Sequence, residues 1–163
     1  MKTILTAKGE AIIVDDEDFE RVSAYKWGIS TRGYARRHAK SHGRRFAVMM
    51  HRFILGIDNG DPRIVDHANG IKTDNRRSNL RICSKSQNGY NQSAQRNNTT
   101  GYKGVTRHIQ TGRFIAQIRH NGKRKYIGSY ATPEEAYSAY CEAAIELHGE
   151  FSNFGEQHVQ IDG

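Results

Sequence analysis

Charge in this chain is sorted by position, and the sorting limits how the chain can be layered. Residues 97–130 carry seven lysines and arginines and no acid, whereas residues 131–163 carry seven acids and no lysine or arginine. A small module drawn from both stretches is expected to place basic strands on one side and an acidic backing on the other. Upstream, residues 21–96 hold sixteen bases against Asp58, Asp61, Asp66 and Asp74, and residues 1–20 hold six acids against Lys2 and Lys8. Two basic surfaces follow, one in each half. At 163 residues the chain has room for one ordinary domain or two small ones. The polar, Asn-rich stretch from Asn91 to Thr100 is the natural joint.

A formal charge of +8 and a pI near 9.7 favour a polyanionic partner, nucleic acid before an anionic membrane. No apolar run approaches the roughly 20 residues that a spanning helix needs. Met1 to Leu5 soon meets Lys8 and Glu10, which leaves no signal-peptide core. Cys83 and Cys141 are the only cysteines, too few for a Cys-rich zinc site or a disulfide framework. The expected setting is reducing and cytoplasmic, with no membrane.

Residues 3–14 alternate around Lys8-Gly9-Glu10 as a short hairpin would. Asp15 to Asp18 then open a helix carrying Phe19, Val22 and Tyr25 at helical spacing, with Trp27 as its core anchor. Residues 33–55 read as two strands around Ser41-His42-Gly43, the second from Arg45 to Met50. Residues 56–84 read as strand, long polar loop and strand, and a helix follows from about Ser84 through Asn91. In the last third, three short alternating runs are expected to form a sheet, with Asn121-Gly122 as the hairpin turn between the second and third. Thr132-Pro133-Glu134-Glu135 opens a final helix whose small apolar residues let it lie close against that sheet.

The chemically loaded segment runs Val65-Asp66-His67-Ala68-Asn69-Gly70, then Asn75-Arg76-Arg77-Ser78-Asn79-Leu80, then Gln87-Asn88. Phosphodiester hydrolysis needs an activated water and a cation to steady the phosphate. A neutral imidazole at His67 suits the first task, and hard oxygen donors at Asp66 and Asn88 suit Mg²⁺. The same residue types also make ordinary turns and surface hydrogen bonds, so the pair Asp66-His67 alone does not distinguish the two readings.

Residues 51–88 resemble the HNH endonucleases, in particular the Asn-containing branch found among phage and intron homing enzymes. Met50-His51-Arg52 resembles the entry strand of that branch, and Val65 to Gly70 its central Asp-His-x-(Asp/Asn)-Gly element. Asp74 to Arg81 resembles the Asp-Asn-x-x-x-Asn-Leu-Arg that follows, and Asn88 stands at the final Asn. The resemblance implies a ββα-metal finger with His67 as general base, Asp66 and Asn88 as metal ligands, and Asn79 fixing the loop that carries the base. His51 supports the site, touches phosphate or simply packs. Asn88 replaces the final His of the founding pattern, which implies one hard divalent ion, Mg²⁺ or Mn²⁺, and nicking of one strand.

In the last third, alternation turns Phe114, Ala116 and Ile118 toward the helix and Gln117 and Arg119 away from it. Arg124 and Tyr126 join the open face, with Thr106 and His108 as neighbours. Arg can read guanine edges and Gln adenine. Tyr102 to Val105, Phe114 to Arg119, Tyr126 to Tyr130, Glu134 to Tyr140 and Phe151 to Phe154 resemble the plant APETALA2 / ethylene-response-factor domain, which lays a three-stranded sheet into the DNA major groove. By position this implies Lys103, Thr106, Gln117, Arg119, Arg124 and Tyr126 as contacts. Thr106 and Tyr126 stand where plant members usually have Arg and Trp, so the plant target sequence does not carry over.

The expected protein is α+β: a ββα-metal HNH nuclease domain over 1–93 (core 51–91), a linker over 94–100, a three-stranded antiparallel sheet packed on one helix over 101–156, and a tail over 157–163. The expected function is metal-dependent cleavage of double-stranded DNA by a monomeric, homing-type nicking enzyme of phage character acting in a bacterial host. The alternatives are a DNA-binding regulator with a silent nuclease domain and a structural RNA-binding protein.

Overall fold

The computed structural model describes residues 1–94 and 97–155. Gln95 and Arg96 of the expected linker, and the tail expected at 157–163, lie outside the described residues. The architecture is mixed, with four small antiparallel sheets and four α-helices among the described residues. The chain divides into two compact units, Met1–Ser84 and Lys85–Gly163. No helix among the described residues is long and apolar enough to cross a membrane.

The first unit opens with the hairpin β1 (Lys2–Leu5) and β2 (Ala11–Val14), paired from Lys2↔Val14 to Leu5↔Ala11. Its alternation buries Ile12 and Val14 completely. Helix α1 (Asp16–Ser23) follows and stops short of Tyr25, which lies outside it and is partly exposed. Trp27 takes the Val22 carbonyl through its indole N–H at 2.7 Å, which draws the chain inward just past the helix end. Strands β3 (Gly28–Ile29), β4 (Ala35–Ser41) and β5 (Arg44–Met49) form one antiparallel sheet in that order. His42 and Gly43 turn β4 into β5 with φ of 48° and 75°, the left-handed conformation that a tight hairpin requires.

Met50–Ile54 forms a short helix, α2, and not the end of a strand, so the His51-Arg52 element is helical. The apolar run Met50, Phe53, Ile54 has i, i+3, i+4 spacing, and Met50 and Ile54 are fully buried. Strands β6 (Ile64–His67) and β7 (Leu80–Cys83) then pair antiparallel, with Asp66 opposite Arg81 and His67 opposite Leu80. Ile12, Val14, Val22, Trp27, Ala35, Met50, Ile54, Ile57, Val65 and Leu80 make one core, so β1–β2, α1 and the later hairpin fold around shared apolar surface.

The second unit begins with α3 (Lys85–Tyr90) and continues with β8 (Val105–Arg107), β9 (Phe114–His120), β10 (Lys123–Tyr130) and α4 (Pro133–His148). The sheet runs β10-β9-β8, all antiparallel, and α4 packs on it through Ala136, Tyr140 and Ala144. Asn121 and Gly122 close the β9–β10 hairpin with φ of 49° and 76°. Thr132 and Glu135 form a reciprocal capping box at the start of α4. Gly104 has a φ of 77°, and a Cβ there would lie 2.1 Å from the Tyr140 ring, so the approach of β8 to α4 admits only glycine. A bulge between Tyr126 and Gly128 leaves Tyr126 exposed while Ile127 packs inward.

Candidate active site and nucleic-acid face

Asp66 and His67 end β6 as buried residues, at 7% and 3% exposure. Neighbouring positions on a strand point to opposite faces, so the two side chains enter different surroundings. Asp66 is held by its cross-strand partner Arg81, whose guanidinium donates to one carboxylate oxygen from Nε at 2.9 Å and from Nη2 at 2.8 Å. The His67 ring lies 5.2 Å from His51, edge to face, and 5.8 Å from Tyr34; Tyr34 is in turn 5.5 Å from His51. Lys72 places its ammonium over the Tyr34 ring at 4.7 Å. Three rings from β6, α2 and the β3–β4 connection thus form one cluster.

Burial dominates the titration of both histidines. It lowers His67 below the ordinary imidazole value, assisted by Lys72 and opposed by the Asn75 side chain, Asp66 and Asp74. His51 is pushed down to about 3 by burial first, then by the positive charge it would share with His67 and Arg52. Both rings are neutral near pH 7, the state a proton acceptor needs. The His51 Nδ1 is buried with no hydrogen-bond partner.

The loop between β6 and β7 is closed from within by Asn79. Its amide oxygen accepts the Asn69 N–H at 2.9 Å, its amide nitrogen donates to the Asp74 carbonyl at 2.8 Å, and its own carbonyl accepts the Ala68 N–H. Asp74 accepts from Asn69 Nδ2 at 2.9 Å and pairs with Arg76 at 2.6 Å, and hydrogen bonds from Arg76 hold its carboxyl below the usual range. The loop is also tied to β2: Ile13 N donates to Thr73 O at 2.9 Å and Asn75 N to Ile13 O at 2.8 Å.

A second tie was not legible in the sequence. The carboxylates of Asp15, Glu17 and Asp18 lie within 4.8 Å of one another, and Arg77 satisfies all three. Its backbone N–H reaches Asp15 at 2.7 Å, and its guanidinium reaches Glu17 and Asp18 at 2.7 Å each. Arg21 adds a bond of 2.6 Å to Asp18, and both arginines donate to the Ile54 carbonyl at the end of α2. Burial pushes Asp18 up, but the hydrogen bonds from Arg77 and Arg21 outweigh it and hold its carboxyl low. The acids expected to favour the start of α1 are therefore also the anchor of the loop. Only the count of four acids in residues 15–18 hinted at this.

In the second unit, Thr106, Gln117, Arg119, Arg124 and Tyr126 fall on the sheet face turned away from α4. Arg119 lies directly opposite Arg124, and Gln117 opposite Tyr126. Facing arginines repel, a cost that a bound anion would relieve. Tyr126 is 67% exposed, unusual for a tyrosine without a partner surface. His108 lies just past β8 on the exposed turn, where its Nδ1 meets the Thr111 hydroxyl at 3.0 Å. Lys103 does not join this group. Its ammonium donates to the carbonyls of Tyr90 at 2.8 Å and Asn153 at 2.7 Å, and burial lowers its pKa to about 8. Asn88 lies on α3, in the second unit.

Two family models match separate stretches, an HNH endonuclease model over residues 48–90 and an AP2 domain model over residues 100–150. HNH endonuclease L560 of Acanthamoeba polyphaga mimivirus, named as uncharacterized, is 34% identical over 149 residues, covering 89% of this chain and 74% of that protein. The chain belongs to the HNH endonuclease family. Over the AP2 stretch the chain is also similar to plant transcription factors. AP2-like ethylene-responsive transcription factor AIL7 of Arabidopsis thaliana is 50% identical over 50 residues, 29% of the chain and 10% of that protein. The factor CRL5 of Oryza sativa subsp. japonica is 43% identical over 65 residues, 37% of the chain and 10% of that protein. The chain thus spans only about a tenth of the length of these plant relatives. No solved structure matches it.

Proposed function

We propose that the chain is a site-directed DNA endonuclease that hydrolyses phosphodiester bonds with one divalent cation, in the homing-type form that nicks one strand. The observation that carries this reading is His67: a neutral, buried imidazole beside the Asp66 carboxylate, on a hairpin whose loop is stapled by Asn79. In this reading His67 takes the proton of the attacking water, and Asn79 holds the loop so that the ring keeps its aim. His51 and Tyr34 wall the imidazole and keep it dry, which favours the neutral base.

The proposed cation ligands are Asp66 and Asn88. A carboxylate and an amide oxygen are hard donors and fit Mg²⁺ or Mn²⁺ better than zinc. Arg81 pairs with Asp66 at 2.8 Å and orients its carboxylate for that task. When bound, the cation would steady the charge on the phosphate and the leaving oxygen. By this reading Asn88 belongs in function to a ββα-metal motif within a nuclease domain of residues 1–93. Residues 94–100 are then the linker, and residues 101–156 form the reading domain.

Double-stranded DNA is the proposed partner, held as a monomer. Thr106, His108, Gln117, Arg119, Arg124 and Tyr126 supply the reading face. Lys103 is left out, because its ammonium is spent on two backbone carbonyls. The mimivirus relative supports a viral setting; a phage enzyme in a bacterial cytoplasm is the narrower form. The match to plant transcription factors favours one rival, a regulator with a silent nuclease. Supercoiled plasmid with Mg²⁺ or Mn²⁺ separates the two. Nicking that is abolished by His67→Ala, with DNA binding retained, supports the enzyme. Tight binding without nicks at any metal concentration supports the regulator.

A further inference from the structure

Helix α3 carries the last residue of the nuclease motif, yet its contacts bind it to the sheet-and-helix module. Tyr90, at the end of α3, is 7% exposed and stacks on His148 of α4 with ring centroids 3.8 Å apart and planes within 5°. Its hydroxyl donates to the Asn121 side chain at 3.1 Å and accepts the Asn121 N–H at 2.9 Å, at the tip of the β9–β10 hairpin. Its carbonyl accepts from Lys103, which also holds Asn153 O. Asn153 in turn donates to the Asn91 carbonyl at 2.9 Å. His148 is fixed from the other side by the Arg119 carbonyl at 2.9 Å. A stacked ring, two bonds at its hydroxyl and a half-buried ammonium on its carbonyl form a clasp. It is far more than a flexible tether would have.

The clasp has a consequence on the surface. A groove of about 760 Å³ in this unit is lined by Lys85 and Asn88 of α3 together with Thr106, Gln117, Arg119 and Arg124 of the reading face. One nucleic-acid strand lying across the sheet therefore meets a nuclease-motif residue without leaving the unit.

We infer that Tyr90, His148 and Lys103 are positioning residues that lock α3 to the DNA-reading module, so that Asn88 is held at a set distance from the bases being read. The position of the cut relative to the recognised sequence is then fixed by this clasp and not by the length of the 92–99 connection. The inference rests on the nuclease reading above. A tether alone would let the cut wander over neighbouring phosphodiesters, whereas a clasped helix gives one position.

The test maps cleavage ends at nucleotide resolution on a duplex holding the recognised sequence, with Mg²⁺ and the full-length protein. The wild type is expected to cut at one position. Tyr90→Ala should spread the cut over adjacent positions and lower kcat about 10- to 100-fold, with DNA affinity changed less than about 3-fold. Tyr90→Phe keeps the stack on His148 and should restore most of the precision. A short Gly-Ser insertion after Ala94 should leave the position unchanged. A sharp cut with wild-type kcat in Tyr90→Ala, or a cut that moves with the insertion, would overturn the inference. Amide hydrogen exchange over residues 86–91 reads the clasp without cleavage. Slow exchange that His148→Ala speeds supports it, and fast exchange in the wild type overturns it. Absence of any wild-type cleavage instead strikes at the nuclease reading.

Discussion

Acid should loosen the first unit before its carboxylates protonate, and His51 should account for a measurable share. An ordinary imidazole titrates at 6.5, whereas burial holds His51 at about 3 in the folded chain. Between those values the unfolded chain binds a proton that the folded chain refuses, so stability falls as pH falls below 6.5. At pH 5 the unfolded ring is almost wholly charged and the folded ring neutral, a loss of about 2 kcal/mol relative to pH 7.5. His67, also lowered, adds to the same slope. Asp18 and Asp74 lie below their ordinary value of 3.8, so their stabilisation is still present at pH 5 and they add almost nothing to the change from pH 7.5. The assay is urea unfolding read by fluorescence of Trp27, the only tryptophan, which sits in the core of this unit. EDTA is present so that no cation competes. His51→Leu shifts the baseline stability, but only the change between pH 7.5 and 5 matters. That change should shrink by about 2 kcal/mol in the variant. Equal changes in wild type and variant would refute the claim that a neutral buried His51 is built into this ring cluster.

Three further outcomes follow from the loop and its base. Asn79→Ala removes an acceptor from the Asn69 N–H and a donor from the Asp74 carbonyl in a buried site, and should cost about 2–4 kcal/mol in the same unfolding assay. Asn79→Asp keeps the acceptor and should lose less. Asp18→Asn should cost about 1–3 kcal/mol, because both guanidinium partners are half-exposed and regain water. Since Arg77 would lose its buried carboxylate partner and keep only Asp15 and Glu17, nicking rate should drop as well, and equal rates in wild type and variant count against the tie. The acid limb of kcat against pH should lie below 6.5, since burial lowers His67 and protonation removes its basicity. A limb at 7 or above would count against His67 as the base.

Local features were legible in the sequence wherever one backbone rule decides the outcome. Asn121-Gly122 makes its turn because both residues take a positive φ, and Thr132 caps α4 because its oxygen is within reach of the Glu135 N–H. The strand–loop–strand around Asp66 was legible for the same reason. It is one hairpin, with the partners Asp66 and Arg81 only 15 residues apart. Met50–Ile54 misled, because five mostly apolar residues after a strand do not announce whether the period is two or 3.6. Lys103 entered the contact set only by its position in the resemblance. Its hydrogen-bond partners, which come from residues 90 and 153, are too distant in sequence to be read locally. The Arg77–Asp18 tie spans 59 residues and leaves no local signature beyond the acidic run at 15–18.

That tie changes how the match over residues 48–90 should be understood. The stretch carries the motif, but its loop is held by groups outside it: the β2 backbone at Ile13, the carboxylates of residues 15–18, and the Tyr34 ring against both histidines. The Ile54 carbonyl, which terminates α2, is shared by Arg21 and Arg77, so helix end, acidic helix and motif loop meet at one oxygen. Residues 1–45, which composition alone could not interpret, are therefore the frame that keeps the hairpin loop shut and the imidazole dry. A frame of this kind explains why so small a unit can keep two histidines buried and uncharged. Desolvating the rings costs stability, and the apolar contacts of Ile12, Val14, Val22 and Trp27 with Met50, Ile54 and Val65 offset it within the same core.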